Sequence, residues 1–186
     1  MPYPTVACGC EKRVVFPGRF QPVHKGHAHA LGWLSGRFDE IIVVVGSAQK
    51  SHSVDNPFTA GERILMLREA LREGGVDLSK FIFVPVPDIE YNSLWVRYVE
   101  TLVPPFMYAA SRNPLVKTLF EESGYKVVEP PVINRREYSG RFIRSLMLKG
   151  DESWRELVPS SVARIIDEVG GVARLRTVSG TDEEVS

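Results

Sequence analysis

His24 and His27 stand three residues apart in the stretch Phe16-Pro-Gly-Arg-Phe-Gln-Pro-Val-His-Lys-Gly-His27. On a helix that spacing puts two imidazoles on one face, one turn apart. Gly26 lies between them, where a missing Cβ lets a ligand approach the backbone, and Arg19 stands just upstream. A helix N-terminus with free N–H groups, a glycine and flanking cations is an anion site, most often for phosphate. The plain alternative is a surface loop that happens to carry histidines, but strand, turn, glycine and helix follow here in the order that a phosphate motif needs. A second helix start, Tyr138-Ser-Gly-Arg-Phe-Ile-Arg144, has the same character. Ser139 can cap it, and Arg144, about a turn further in, can reach an anion held at its N-terminus. Alone, Arg144 reads first as a solvated helix arginine. Paired with the first site, it becomes the far side of a polyphosphate clamp.

A third chemical feature is Asp88-Ile-Glu-Tyr-Asn-Ser-Leu-Trp95. An indole beside a cleft can stack on a flat ring, most strongly on a cationic one. Asn92 offers a donor and an acceptor to an amide-bearing ring. On the residues alone, Trp95 reads first as a core residue of an amphipathic helix with Leu94, Tyr98 and Leu102. His29, two residues past His27, points elsewhere on its helix, and His52 is a polar loop residue.

The elements that position these groups alternate between strand and helix. Arg13 to Phe16 is a short apolar strand, and the histidine helix after it runs to about Arg37. Glu40 to Gly46 is a continuous β-branched run suited to a central strand buried on both faces. A polar loop from Ser47 to Pro57 leads to Thr59-Ala-Gly-Glu62, a capping box opening a helix to about Glu73. Phe81 to Val86 is a third strand, whose Pro85 marks an edge or a strand end. Asn92 or Ser93 caps a helix to about Val103, Phe106 to Ala110 is a fourth strand, and Asn113-Pro114 opens a helix to about Gly124. Tyr125 to Glu129 is a short fifth strand. The remainder is helical, at Ser139 to Leu148 and Pro159 to Val169, with a turn holding Trp154.

Such alternation predicts an α/β fold, a Rossmann-like doubly wound parallel sheet of about five strands with a helical C-terminal part. Ligands bind such sheets outside the carboxyl ends of the strands. The histidine stretch, the Ser47 loop, the Asp88 loop and the Ser111 turn all fall there. The reading gives one domain over residues 12–175, with residues 1–11 and 176–186 as loose termini.

Composition narrows the class further. The 186 residues are 44% hydrophobic and 25% charged, enough for one full core. Lys plus Arg and Asp plus Glu both total 23, so no general pull towards nucleic acid or anionic membrane is expected. No apolar run approaches a spanning helix, and the N-terminus lacks the apolar core of a signal peptide. Cys8 and Cys10 are too few for a zinc site and too close for a relaxed disulfide, so a cytoplasmic location with reduced thiols is expected. A dinucleotide glycine fingerprint, a Walker lysine and a nucleophile elbow are all missing. What remains is a site made for phosphates, with no covalent chemistry in view.

The stretch Gly18-Arg-Phe-Gln-Pro22 with His24 to His27 resembles the nucleotidyltransferase superfamily that carries the H-x-G-H signature. The fuller set resembles the archaeal-type nicotinamide-nucleotide adenylyltransferases: Gly46-Ser-Ala-Gln49, Ser51-His52, Asn56-Pro-Phe-Thr-Ala-Gly-Glu-Arg63, Asp88-Ile-Glu90, Asn92, Leu94-Trp-Val96, Pro104-Pro-Phe106, Asn113-Pro-Leu-Val116 and Tyr138-Ser-Gly140 with Arg144. The resemblance implies that ATP and nicotinamide mononucleotide give NAD and pyrophosphate, with Mg2+ carried on the ATP phosphates and no protein metal ligand. It implies that Gly18, Arg19, Phe20, His24, Gly26, His27, Asn113, Ser139 and Arg144 bind ATP. Within that set, His24, His27, Arg19 and Arg144 would be catalytic. Ser47, Ile89, Asn92 and Trp95 would hold the mononucleotide, Trp95 by stacking and Asn92 by its amide. A homo-oligomer is expected on the same ground. Two positions depart from the family pattern. Arg112 stands where the family has glycine, and Arg141 where it has threonine; each either fills nucleotide space or turns to solvent. A sister nucleotidyltransferase with another phosphorylated acceptor, and a nucleotide-binding sensor without turnover, share the phosphate half. Asn92 and Trp95 favour nicotinamide.

Overall fold

The computed structural model describes residues 12–132 and 138–183. The expected loose extension at residues 1–11, with Cys8 and Cys10, lies outside the described residues. Strands β1 (Arg13–Gly18), β2 (Glu40–Val45), β3 (Phe81–Pro85), β4 (Tyr108–Ala110) and β5 (Lys126–Val128) form one parallel sheet in the order β3-β2-β1-β4-β5. The order reverses between β1 and β4, which places the crevice for a ligand outside the carboxyl ends of those two strands.

The strands alternate between two cores. Val14, Phe16, Ile41, Val43 and Val45 point to one face, and Val15, Ile42 and Val44 to the other. Helices α1 (Lys25–Ser35) and α2 (Ala60–Glu73) cover the first face, and α3 (Trp95–Leu102) and α4 (Pro114–Glu122) cover the second. β2 is therefore buried on both faces, as its β-branched run predicts. Pro85 closes β3 on the sheet edge, where a missing N–H does no harm.

After β5 the chain is helical: α5 (Gly140–Lys149), α6 (Trp154–Leu157), α7 (Ser160–Glu168) and α8 (Gly171–Glu183). They extend the first core through Ile143, Met147, Trp154, Ile166 and Leu175. Of the loose terminus expected at residues 176–186, residues 184–186 lie outside the described residues, and the part through Glu183 is instead helix α8. Its polar sequence gave no periodic signal. Tertiary contacts at its start hold it instead: Leu175 is buried, Arg174 forks onto Glu62 at 2.8 and 2.9 Å, and Arg176 donates to the Met147 carbonyl at 3.1 Å. The helix after β3 also differs. Asn92–Leu94 form a 3-10 turn, α3 starts at Trp95, and neither Asn92 nor Ser93 caps it. No helix among the described residues is long and apolar enough to cross a membrane.

Candidate active site

The local geometry begins with the two imidazoles. His24 is the N-cap of α1 rather than a residue within it. Its Nδ1 accepts from the His27 backbone N–H, and the His27 Nδ1 accepts from the His24 N–H, both at 3.3 Å. The rings stack at 3.5 Å between centroids. Burial pushes His24 down to about 4, and burial together with its neighbour pushes His27 well below its usual value. Both are therefore neutral at pH 7. Because each Nδ1 is an acceptor, each proton sits on Nε2, and the pair offers two Nε2–H donors with no formal charge.

Phe20 sustains this arrangement. It sits at positive φ (54°), its ring is buried at an edge-to-face 4.8 Å from His27, and a Cβ on Gly18 would meet that ring at 2.6 Å. Phe20 can thus face a nucleotide only through its main chain. Gly26 also does a different job from the one expected. A Cβ there would meet the His24 ring and the Tyr138 Cβ at 3.1 Å, so the missing side chain makes room for these two residues.

α5 brings in the second helix start. Ser139 caps it, accepting from the Phe142 N–H at 3.2 Å. A Cβ on Gly140 would strike the Gln21 carbonyl oxygen at 2.7 Å, so only glycine lets the two helix starts meet. Arg144, only 6% exposed, donates to that same carbonyl at 2.8 Å and to Asp55 at 2.9 Å. Burial pulls its guanidinium below the usual value, Asp55 opposes this, and Arg19 and Arg141 are near enough to add to the pull. Arg19 and Arg141 are both exposed. The two helix starts read in the sequence as candidate anion sites are thus adjacent, with Arg144, Arg19 and Arg141 around them. Asn113 spends its side chain as the N-cap of α4. Arg112 donates to the Pro130 carbonyl at 3.1 Å and lies 3.4 Å from Glu129, at the exit of β5.

The loops after β2 and β3 form the other part. Ser47, at φ 49°, donates through Oγ to Asp88 at 2.9 Å, and Lys50 pairs with the same carboxylate. Burial alone would raise Asp88, but Lys50 and Ser47 hold it below its usual value. Ile89 is half-buried and Asn92 exposed. Trp95 is half-buried, edge-to-face with Phe120 at 5.6 Å, so it both packs on the core and keeps a free surface. His52 is exposed and also at positive φ. Left-handed backbone at non-glycine residues is strained and concentrates at functional loops.

Two residues that hold these loops escaped the reading of the sequence. Gln21 exchanges both amide bonds with the Phe58 backbone, at 2.8 and 3.0 Å. Arg63, fully buried, donates to the carbonyls of Arg19, Gly46, Ser47 and Thr59. Burial lowers it to about 10, so it stays charged at pH 7. Arg63 and Gln21 both stand in stretches that carry the family resemblance, but nothing in the sequence gave either of them this holding role.

Comparison with known proteins places this geometry. The cytidylyltransferase-like family matches residues 15–178. A nicotinamide-nucleotide adenylyltransferase from Ignicoccus hospitalis is 54% identical over 170 residues, covering 91% of this chain and 99% of that protein. One of the same name from Saccharolobus solfataricus is 48% identical over 171 residues, covering 92% and 99%. A crystal structure of a bifunctional NMN adenylyltransferase/ADP ribose pyrophosphatase from Francisella tularensis, complexed with AMP and a manganese ion, superposes with a TM-score of 0.72 at 19% identity. That match covers 94% of this chain and 54% of the bifunctional one, and it is a likeness of fold.

Proposed function

The chain belongs to the cytidylyltransferase-like family and, within it, to the nicotinamide-nucleotide adenylyltransferases, which form NAD by adenylyl transfer, and we propose how its residues divide that work. The two helix starts joined through Arg144 and Gln21 hold the ATP polyphosphate, and Ser47, the Ile89 backbone, Asn92 and Trp95 hold nicotinamide mononucleotide. The observation that carries this division is the Arg144–Gln21 bond. It fastens two N-terminal donor sets side by side at the switch point of the sheet.

In the reaction a phosphate oxygen of the mononucleotide forms a bond to the α-phosphorus of ATP. The bond from that phosphorus to the bridging oxygen breaks, and its electron pair leaves with pyrophosphate. The nucleophile is already an anion, so no general base is needed. Catalysis then reduces to positioning and to stabilising charge on the phosphoryl oxygens. The Nε2–H donors of His24 and His27 serve the phosphates, with His27 facing the α-phosphate. Arg19 and Arg144 grip the β and γ groups, and Arg141 adds a third cation. Among the described residues no group of three or more His, Cys, Asp or Glu side chains could hold a metal ion. Mg2+ carried on the ATP phosphates, as the family resemblance implies, would supply charge neutralisation to the leaving pyrophosphate. With Arg112 engaged on Pro130 and Glu129, the reading as a sensor without turnover leans on Arg141 alone.

Pyrophosphate release from ATP with a panel of acceptors tests the assignment. Turnover is expected with nicotinamide mononucleotide. Turnover only with phosphopantetheine or flavin mononucleotide would move the protein to a sister activity, and nucleotide binding without any turnover would make it a sensor. Light scattering tests the homo-oligomer that the family resemblance implies, and fractionation of the source cells tests the cytoplasmic location.

A further inference from the structure

The clamp contains a carboxylate that its chemistry does not call for. Asp55 Oδ1 accepts from Arg144 Nη2 at 2.9 Å, on a guanidinium whose other bond goes to the Gln21 carbonyl. Arg144 is nearly sealed, with its side chain 7% exposed, whereas the Asp55 side chain is 71% exposed. Arg19 and Arg141 lie close enough to act on the same guanidinium. Asp55 is carried on a tight turn closed by the reciprocal Ser53 and Asn56 backbone bonds at 3.3 and 3.1 Å. Asn56 beneath it is buried. The turn is anchored, but among the described contacts the carboxylate itself is held only by Arg144, so it can swing into solvent by rotating its own side chain.

We propose that Asp55 is the clamp's own anion: in the free protein it neutralises Arg144 and keeps it aimed, and an incoming polyphosphate displaces it. This rests on the assignment of the ATP phosphates to the Arg144 site. Two like charges cannot share one buried guanidinium without mutual repulsion. A polyphosphate brings several oxygens and can also engage Arg19, Arg141 and the histidine Nε2–H donors. A small monoanion offers only what Asp55 already offers. The carboxylate therefore selects for multidentate anions and sets a threshold that ordinary cellular anions do not cross.

The test is calorimetric titration of the full chain with inorganic pyrophosphate, and with ATP in the presence of EDTA. Asp55→Asn keeps an oxygen for Arg144 and removes the charge. It is expected to bind both ligands about fivefold more tightly, the size expected for an exposed charge partner, and to gain measurable inhibition by chloride or sulfate. Asp167→Asn, a carboxylate paired with Arg155 on α7, measures the effect of net charge alone and is expected to leave binding unchanged. Equal or weaker binding by Asp55→Asn would overturn the proposal, since the carboxylate would then assist the ligand, for instance by bridging through a cation. Equal tightening in both variants would overturn it too. A wild-type chain that binds neither pyrophosphate nor ATP would instead fell the phosphate assignment, and this inference with it.

Discussion

Arg144 and Asn92, the polar groups assigned to the two substrates, live in different surroundings. Arg144 is buried and bonded to a main-chain carbonyl and a carboxylate, and the other helix start is capped by its own stacked histidine pair. Asn92 is exposed on a 3-10 turn, and Tyr91 before it and Leu94 at its end are 62% and 56% exposed. The phosphate half is thus assembled before any ligand arrives, whereas the ring half presents surface that a ligand must cover. The difference follows the chemistry. Donors that stabilise charge in a transition state act best when they need no reorganisation, while a flat ring needs only an apolar face and an amide, which can close around it.

The largest effect should come from breaking the preassembled half at its centre. His27→Ala removes one Nε2–H donor and the reciprocal cap on His24. Turnover should fall at least about a hundredfold, roughly 3 kcal/mol, while the dissociation constant for ATP changes little. Single-turnover kinetics beside equilibrium binding separate the two. Loss of ATP binding with intact turnover of the bound complex would show that His27 serves ground-state binding.

Arg63→Met attacks the same half from below. Its guanidinium joins the carbonyls at the ends of β1 and β2 to the N-cap of α2. Without it those acceptors lose a charged donor in a sealed place, and stability should drop by about 3 kcal/mol in denaturant titration. A change under about 1 kcal/mol would mean that water replaces the arginine readily.

Arg63 also marks where reading the sequence stopped. The parallel sheet and the two capped helix starts were legible, because strand periodicity, caps and glycines are local signals, whereas the strand order β3-β2-β1-β4-β5 comes only from the fold. Which arginine faces inward is not local. Arg144 and Arg63 both lie one turn into a helix behind a hydroxyl cap, yet one borders the proposed anion site and the other is spent entirely on main-chain carbonyls. The role of Gln21 was not legible either, since its partner Phe58 is 37 residues away. Gly26 misled for the same reason: its open side faces Tyr138, which only the fold brings near.

A smaller effect separates the halves by pH. The unfolded His24 titrates near its ordinary 6.5 and the folded one at about 4, so between those values the unfolded chain binds more protons. Stability must therefore rise with pH across that window and level off above it, by roughly 3 kcal/mol from His24. His24→Asn keeps a capping oxygen without a titrating ring. Its melting temperature should depend less on pH between 4 and 6.5 than that of the wild type. An unchanged pH slope would assign the dependence to other groups.

The ring half should yield the smallest change, and its sign pattern matters more than its size. Trp95 packs its edge on Phe120 but stays half-buried, so truncation removes ligand surface along with some core contact. Trp95→Ala should raise the Michaelis constant for nicotinamide mononucleotide by about tenfold, in line with roughly 1.4 kcal/mol for a stacked cationic ring. The constant for ATP should stay within about twofold, because none of the phosphate donors touches the α3 start. Trp95→Phe keeps a flat face and should recover most of the loss. If alanine raised both constants equally, and phenylalanine restored the melting temperature along with them, Trp95 would be a core residue whose removal loosens the whole cleft. The ring half would then be as dependent on prior assembly as the phosphate half.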